Sequence, residues 1–325
     1  MYHAVRTVLG LLVFSESGRL VEVLRYEKPE AVLATGLTPQ ERELIERLGE
    51  VRVEGVHGFP TEGGELFRSR LAEVLRELGV SEEEYREMLR STAVQLAKAR
   101  LRKALQSRDM TIKQLVSAVE ELEEVQNLLR SRLREWYFLH FPEAAEHEEL
   151  AEIVARYGHR GRMPGELGQL AEDSAGAELE EGDVEVLQEF ASGILELRRL
   201  RERVMERLEE VMHEHAPNLS HLAGAHIGAK LIAAAGGIER LAKMPACRIQ
   251  VLGAERALFR HLARGAKPPK HGYIYQHPLV RGAPKKRRGR AARALAAKLA
   301  IAARADAYGG RFIAEELESR LKVLK

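Results

Sequence analysis

Two stretches of the chain place apolar residues in alternating steps of four and three. One runs through Leu115, Val119, Leu122, Gln126, Leu129, Leu133 and Trp136; the other through Leu187, Phe190, Ile194, Leu197, Arg201, Val204, Leu208 and Val211. Each is the a/d seam of a coiled coil, kept for about three heptads and interrupted once by a polar residue. Each predicts a helix of about 30 residues, roughly 45 Å long at 1.5 Å per residue. Residues 158–182, between them, are rich in Gly and Glu and contain Pro164, so the seam cannot continue there. The two helices are expected to fold back as an antiparallel hairpin. Two helices alone have little core, so the pattern predicts a homodimer through the coiled coil. The positions expected to mediate it are Leu115, Val119, Leu122, Leu129, Leu133, Trp136, Ile194, Leu197, Val204 and Leu208.

The flanking patterns are shorter. Residues 6–14 are rich in β-formers, Ser15-Glu16-Ser17-Gly18 carries turn chemistry, and residues 20–24 return, which predicts one hairpin. A Thr38 cap starts a helix over residues 39–48; a short strand at 51–53 and a loop over 55–64 follow. Helices are expected over residues 65–78 and, from a Ser81 cap with Glu84 three residues on, to Leu105. Pro217 ends the second long helix. Beyond it, short helices are predicted over 224–235, 238–243, 253–262 and 289–307, with Gly236-Gly237 and Gly309-Gly310 as stops. Small residues such as Gly228, Ala229 and Ala233 allow close helix approach. The expected architecture is mainly α and multidomain. It comprises a small α/β domain (1–108), a long antiparallel coiled-coil hairpin (109–217) and an all-α domain (218–325).

Charge sharpens this division. The net charge of +2 conceals 22 Lys and Arg against 6 Asp and Glu in residues 218–325, whereas the first 217 residues hold 29 and 43. A mixed Arg/Glu surface would intermingle the signs; segregation points to a polyanion-binding end. No apolar run reaches the roughly 18 residues of a membrane span. The N-terminus lacks the apolar core of a signal peptide, so an intracellular chain is expected. The single cysteine, Cys247, excludes intramolecular disulfides and multi-cysteine zinc sites.

Enzyme signatures fail when tested for spacing. In residues 224–230 the glycines are one position too close for a phosphate loop, and Leu231 stands where Ser or Thr would ligate magnesium. His213-Glu214-His215 does not put two histidines one turn apart. Cys247 has no neighbouring His or acid in a triad and reads as a structural thiol. Glu120, Glu121, Glu123 and Glu124 read as a solvated helix face. No catalytic residue, metal or cofactor is assigned; the competing class is a metal-dependent phosphohydrolase using His213, His215, His221 or His226. Arg256, Arg260 and Arg264, by contrast, lie one turn apart on a single helix, with Leu258 and Leu262 placed to pack on the other side. Such a stripe suits phosphates, because Arg offers a planar, permanently charged fork. Lys267-Pro268-Pro269-Lys270-His271-Gly272 follows as a stiff basic loop. Tyr273 and Tyr275 offer rings for stacking or for core packing. A basic run then occupies residues 285–290.

These residues resemble a known family. Ala216-Pro217-Asn218-Leu219-Ser220, Leu241-Ala242-Lys243-Met244-Pro245, residues 249–260 with Gly253-Ala254-Glu255-Arg256, and Pro268-Pro269-Lys270-His271-Gly272 are similar to the Nop domain. Leu133-Arg134-Glu135-Trp136-Tyr137 and His140-Phe141-Pro142-Glu143 resemble the same proteins' coiled-coil signature, and the N-terminal hairpin with Tyr26-Glu27-Lys28 fits their first domain more loosely. The chain resembles the archaeal scaffolds of box C/D small ribonucleoproteins. The resemblance implies a non-catalytic, cytoplasmic scaffold for guide-directed RNA 2′-O-methylation. Its partners would be a box C/D guide RNA, a kink-turn-binding ribosomal-protein-like factor and a fibrillarin-type methyltransferase, with S-adenosylmethionine bound by that enzyme alone. The alternative is a splicing-type Nop-domain protein without a methyltransferase. Carried over position by position, the RNA-facing set is Gly253, Glu255, Arg256, Arg260, His261, Arg264, Lys267, Lys270 and His271, joined by Arg287 and Arg290 of the basic run. Near Pro284 relatives often have aromatic residues where this chain has Lys285-Lys286-Arg287-Arg288.

Overall fold

The β-rich run at residues 6–14 belongs to two strands. In the computed structural model, which describes residues 2–26, 32, 36–55 and 61–322, β1 (Tyr2–Thr7) and β2 (Gly10–Ser15) pair antiparallel. The Thr7 hydroxyl closes the turn between them, accepting from the Leu9 N–H and donating to the Gly10 carbonyl, both at 3.1 Å. The one hairpin expected is therefore two, because β3 (Leu20–Leu24) pairs with β2. After α1 (Pro39–Leu48), capped reciprocally by Thr38 and Glu41, β4 (Val51–Gly55) joins β1 in parallel and gives the order β3-β2-β1-β4.

Both faces of this sheet are covered, which is why β2 reads as an unbroken apolar run. Ala4, Leu11 and Val13 pack with Leu44 of α1. Val5, Leu12 and Phe14 pack with Phe67, Val74 and Leu75, which lie on α2 (Glu62–Ser69) and α3 (Leu71–Glu77). A single helix was expected there; non-helical backbone at Arg70 (φ −110°, ψ 14°) breaks it. The unit closes with α4 (Glu82–Leu105), capped by Ser81 and Glu84 as the sequence predicts. Glu27 and Lys28 of the N-terminal resemblance, and residues 56–60 of the expected loop, lie outside the described residues. The chain forms two units, Met1–Gln106 and Ser107–Lys325.

In the second unit α5 (Arg108–Phe138) and α8 (Glu181–His215) run antiparallel. Ile112 and Val116 share a core with Leu208, Val211 and Met212, whereas Leu133 and Tyr137 share another with Leu187, Ala191 and Ile194. Val119, Gln126, Leu133, Leu187, Ile194, Leu208 and Val211 are buried seam positions. At the two ends of α5 the buried positions are Ile112 and Val116, then Tyr137; Leu115 and Trp136 are only half-buried. A 3.6-residue turn drifts by about 20° per heptad against a strict 3.5 repeat, which shifts the seam by a position over this length. Midway, Leu122, Leu129, Leu197 and Val204 are half-buried.

Helices α6 (Leu150–Tyr157) and α7 (Gly165–Glu172) close the far end. There the Tyr137 hydroxyl donates to the Gly158 carbonyl at 2.9 Å. His140 is fully buried: its Nδ1 donates to the Ala177 carbonyl at 2.9 Å and its Nε2 accepts from the Arg160 N–H at 3.0 Å.

At the near end the hairpin enters a bundle of short helices. These are α9 (Pro217–Ala223), α10 (Ala225–Ala235), α11 (Ile238–Lys243), α12 (Ala246–Val251), α13 (Glu255–Arg264), α14 (Pro278–Arg281), α15 (Arg288–Arg304) and α16 (Ala314–Lys322). Ile112, Val116, Leu208, Val211 and Met212 share one core with Leu219, Ala229, Leu231 and Leu295. Gly228 makes this possible: a Cβ there would lie 2.9 Å from the Met212 methyl. Asp109 ties three helix ends together, its Oδ1 accepting from His215 Nε2 at 2.9 Å and the Ile238 N–H at 3.2 Å. The Asn218 side chain is buried and saturated, donating to Asp306 Oδ1 at 2.7 Å and the Arg311 carbonyl at 3.0 Å while accepting from the Ile313 N–H at 2.6 Å. Asp306 also receives the Asn218 and Leu219 N–H groups at 3.0 and 2.8 Å, capping α9.

Two outcomes follow from these buried contacts. Asp306→Ala leaves three donors without their carboxylate and should lower stability by about 2–3 kcal/mol in urea unfolding. Burial lowers the His140 pKa below its ordinary value, and His159 and Arg160 add to this. Its neutral form is favoured in the native state, so this contribution is complete above the ordinary histidine pKa of about 6.5 and is lost as pH falls below it. Unfolding midpoints between pH 7 and 5 should fall less steeply for His140→Gln.

Candidate nucleic-acid interface

The basic stripe projects from a helix held chiefly by its ends. Gly253 precedes α13 with φ of +88°, and a Cβ there would meet the Tyr273 ring at 2.5 Å. Glycine is needed both for the left-handed backbone and for the close approach. Glu255 turns back to accept the Gly253 N–H at 2.8 Å, so its carboxylate steadies the helix start. At the other end Gly265 (φ +65°) caps the helix, its N–H bonding the His261 carbonyl at 2.9 Å. His261 Nδ1 bonds the Ala266 carbonyl.

Along α13 and its cap, Ala254, Ala257, Leu258 and His261 are half-buried at i, i+3, i+4 and i+7. Arg256, Arg260 and Arg264 are exposed, as their spacing requires. Leu262, expected to pack, is 70% exposed, and Phe259 is 66% exposed. Of the two leucines expected to pack, Leu258 is half-buried and Leu262 is not. The helix therefore offers solvent three guanidinium groups interleaved with two large apolar side chains.

The Pro-Pro loop is pinned from beneath. Gln250 Nε2 donates to the Lys270 carbonyl at 2.7 Å, the Gly272 N–H to the Gln250 carbonyl at 2.9 Å, and the Tyr273 N–H to the Leu252 carbonyl at 2.9 Å. His271 stacks on Tyr275 with centroids 4.5 Å apart and planes 16° from parallel. Arg288 lies 5.5 Å from the same ring centroid. Burial, with help from Arg288 and Lys270, lowers the His271 pKa. Tyr273 and Tyr275 are thus packing residues, set against the bundle core. Lys267 and Lys270 are exposed. Among the described residues no carboxylate lies within 4 Å of Arg256, Arg260, Arg264, Lys267 or Lys270, in contrast to Arg198 and Arg207 of the hairpin. Arg287 and Arg290 lie at the start of α15, where with Leu279, Pro284 and Ala291 they line a groove of about 430 Å³.

Several residues weighed for other chemistry are held by other side chains. Lys230 is buried and reaches Glu120 Oε1 at 2.8 Å and Gln276 Oε1 at 3.3 Å, so Glu120 is not simply solvated. His215 is bonded to Asp109, and His221 lies 3.5 Å from Glu318. Cys247 is exposed rather than packed. One group that could hold a metal ion, His140, His159 and Glu178, escaped the sequence reading. Both nitrogens of His140 are committed to backbone groups, and His159 bonds Glu178 at 2.9 Å and the Gly161 N–H at 3.1 Å. No helix among the described residues is long and apolar enough to cross a membrane.

Comparison with known proteins places this geometry. The family model described as "Nop: snoRNA binding domain, fibrillarin" matches residues 118–323. An uncharacterized NOP5 family protein of Methanocaldococcus jannaschii is 43% identical over 299 residues, covering 86% of this chain and 72% of that protein. Nucleolar protein 58 of Saccharomyces cerevisiae is 35% identical over 280 residues, 78% of this chain and 54% of the relative. Nucleolar protein 56 of Caenorhabditis elegans is 32% identical over 245 residues, 66% and 50%. The chain thus spans about half the length of these two eukaryotic relatives. A solved fibrillarin/Nop5p complex contains a chain 26% identical, with complete coverage of both and a TM-score of 0.45. With its exposed basic helix and loop inside the matched segment, this chain belongs to the Nop family.

Proposed function

We propose that the chain is a non-catalytic scaffold of a box C/D-type ribonucleoprotein for guide-directed RNA 2′-O-methylation. Residues 218–325 grip a guide RNA together with its small kink-turn protein. Residues 1–108 hold a fibrillarin-type methyltransferase, which binds S-adenosylmethionine, and residues 109–217 join two copies. The observation that carries the reading is the row of exposed, unpaired cations on α13 and the Pro-Pro loop. Among the described residues no carboxylate lies within 4 Å of them, hydrogen bonds hold the loop beneath them, and a prepaid geometry lowers the ordering cost of binding. Phe259 and Leu262 give the same surface an apolar component suited to a composite of RNA and protein. Dimerisation is supported by the groove midway along the hairpin, about 520 Å³ in volume and lined by Leu129, Phe190, Gly193, Leu197 and Leu200. The task is positional, and a helical hairpin keeps its length where a flexible linker would not.

Arg256→Glu with Arg260→Glu should abolish association with a guide RNA loaded with its kink-turn protein, measured by filter binding, while dimer mass stays unchanged. Unaltered binding would reject this face. The parent should show a steep loss of affinity with salt, about 0.7–0.9 in the log–log slope for each phosphate contact. Leu129→Gln with Leu200→Glu should convert the dimer to a monomer in light scattering without loss of RNA affinity.

A further inference from the structure

The acidic two-thirds of the chain contain one stretch of opposite character. Between Glu87 and Asp109 there is no Asp or Glu, whereas Arg90, Lys98, Arg100, Arg102, Lys103 and Arg108 all fall there. The only other long acid-free stretch this rich in cations, between Glu255 and Asp306, holds α13 and the Pro-Pro loop. Five of the six cations lie on α4.

Local helix physics accounts for only part of this. Cations complement the helix dipole in the last turn, which covers Arg102 and Lys103 but neither Arg90 nor Lys98. Lys98 and Arg102 are one turn apart, a like-charge spacing that is slightly unfavourable in the free helix. Earlier in the same helix Arg86 pairs with Glu82 at 3.2 Å. Arg90, Lys98, Arg100 and Arg102, by contrast, are exposed and have no carboxylate within 4 Å among the described residues. Val94, Leu101 and Leu105, at i, i+7 and i+11, form an exposed apolar stripe beside Arg90, Lys98 and Arg102, 46, 57 and 59% accessible.

We infer that the C-terminal half of α4 is a second RNA-binding element, gripping the sugar-phosphate backbone of the RNA independently of α13. Lys98 and Arg102 lie about 6 Å apart along one side of the helix, so both can reach phosphates of one backbone. Contact of this kind reads shape and charge, not sequence. The apolar stripe lies beside Lys98 and Arg102, where ribose edges can rest. The occupant is RNA because Arg90, Lys98, Arg100 and Arg102 have no counter-charge within 4 Å among the described residues and the chain's other acid-free stretch lies in the segment matched by the snoRNA-binding family model. The inference rests on the scaffold reading and assigns it a further contact.

The test uses the full chain reconstituted with guide RNA, the kink-turn protein and a short complementary strand. Filter binding over a salt series compares the parent with K98E/R100E/R102E, K98Q/R100Q/R102Q and R256E/R260E. The Glu variant should lose at least tenfold in affinity at low salt, and the milder Gln variant should reduce the log–log salt slope by about two. Parent-like binding by both α4 variants, with R256E/R260E still defective, overturns this inference and leaves the scaffold reading intact. Parent-like binding by all three overturns both. Loss of methyltransferase capture by the α4 variants with RNA affinity unchanged also overturns it, because α4 would then be a protein-docking surface.

Discussion

The C-terminal half of this molecule depends on the burial of the hairpin base within the short-helix bundle. Ile112, Val116, Leu208, Val211 and Met212 are the apolar ends of the two long helices and also part of the core that holds Leu231 and Leu295. At roughly 25 cal/mol per Å² of apolar surface, each such side chain contributes about 1.5–3 kcal/mol when buried. The small residues of α10 let the helices approach, and Asp109 fixes the angle by bonding the end of α8 and the start of α11 together. Burial would raise the Asp109 pKa, but the His215 and Ile238 donors outweigh it and hold it below the ordinary aspartate value. A spacer whose base belongs to the binding domain transmits orientation in a way that a tether cannot.

Charge is arranged on this frame according to whether it is satisfied within the chain. Hairpin arginines face glutamates, as Arg198 does Glu152 and Arg162 does Glu181. Such exposed pairs add little stability, but they neutralise the surface. On α13 the corresponding carboxylates are missing, and the one acid present, Glu255, is turned onto the backbone. A long-range field therefore survives at this end, where it can raise the rate of encounter with a polyanion.

Much of the plan was legible in the residues themselves. The caps at Thr38 and Ser81, the antiparallel seam and the spacing of Arg256, Arg260 and Arg264 all follow from short-range rules, and the structure repeats them. The errors have a common origin. Residues 6–14 read as one strand because a sheet covered on both faces removes the polar punctuation that marks a turn. Leu262 was given to the core from its position opposite the arginines, yet α13 rests on a narrow line and leaves that side in solvent. The basic run at 285–290 was read as a contact without its groove, because the lining comes from α14 and α15 together.

The sequence by itself determined the helical hairpin and the identity of the basic helix, since each rests on spacing within one element; the separation of charge follows from residue counts, and the family from motifs it resembles along the chain. Tertiary structure decided what faces what. It set Tyr273 and Tyr275 into packing roles, committed His140 and His215 to structural hydrogen bonds, and buried Lys230 against Glu120. It also left Arg90, Lys98, Arg100 and Arg102 of α4 and the three arginines of α13 with no carboxylate within 4 Å among the described residues. Those outcomes depend on contacts between residues far apart in the chain, and local periodicity holds no information about which distant side chain will arrive.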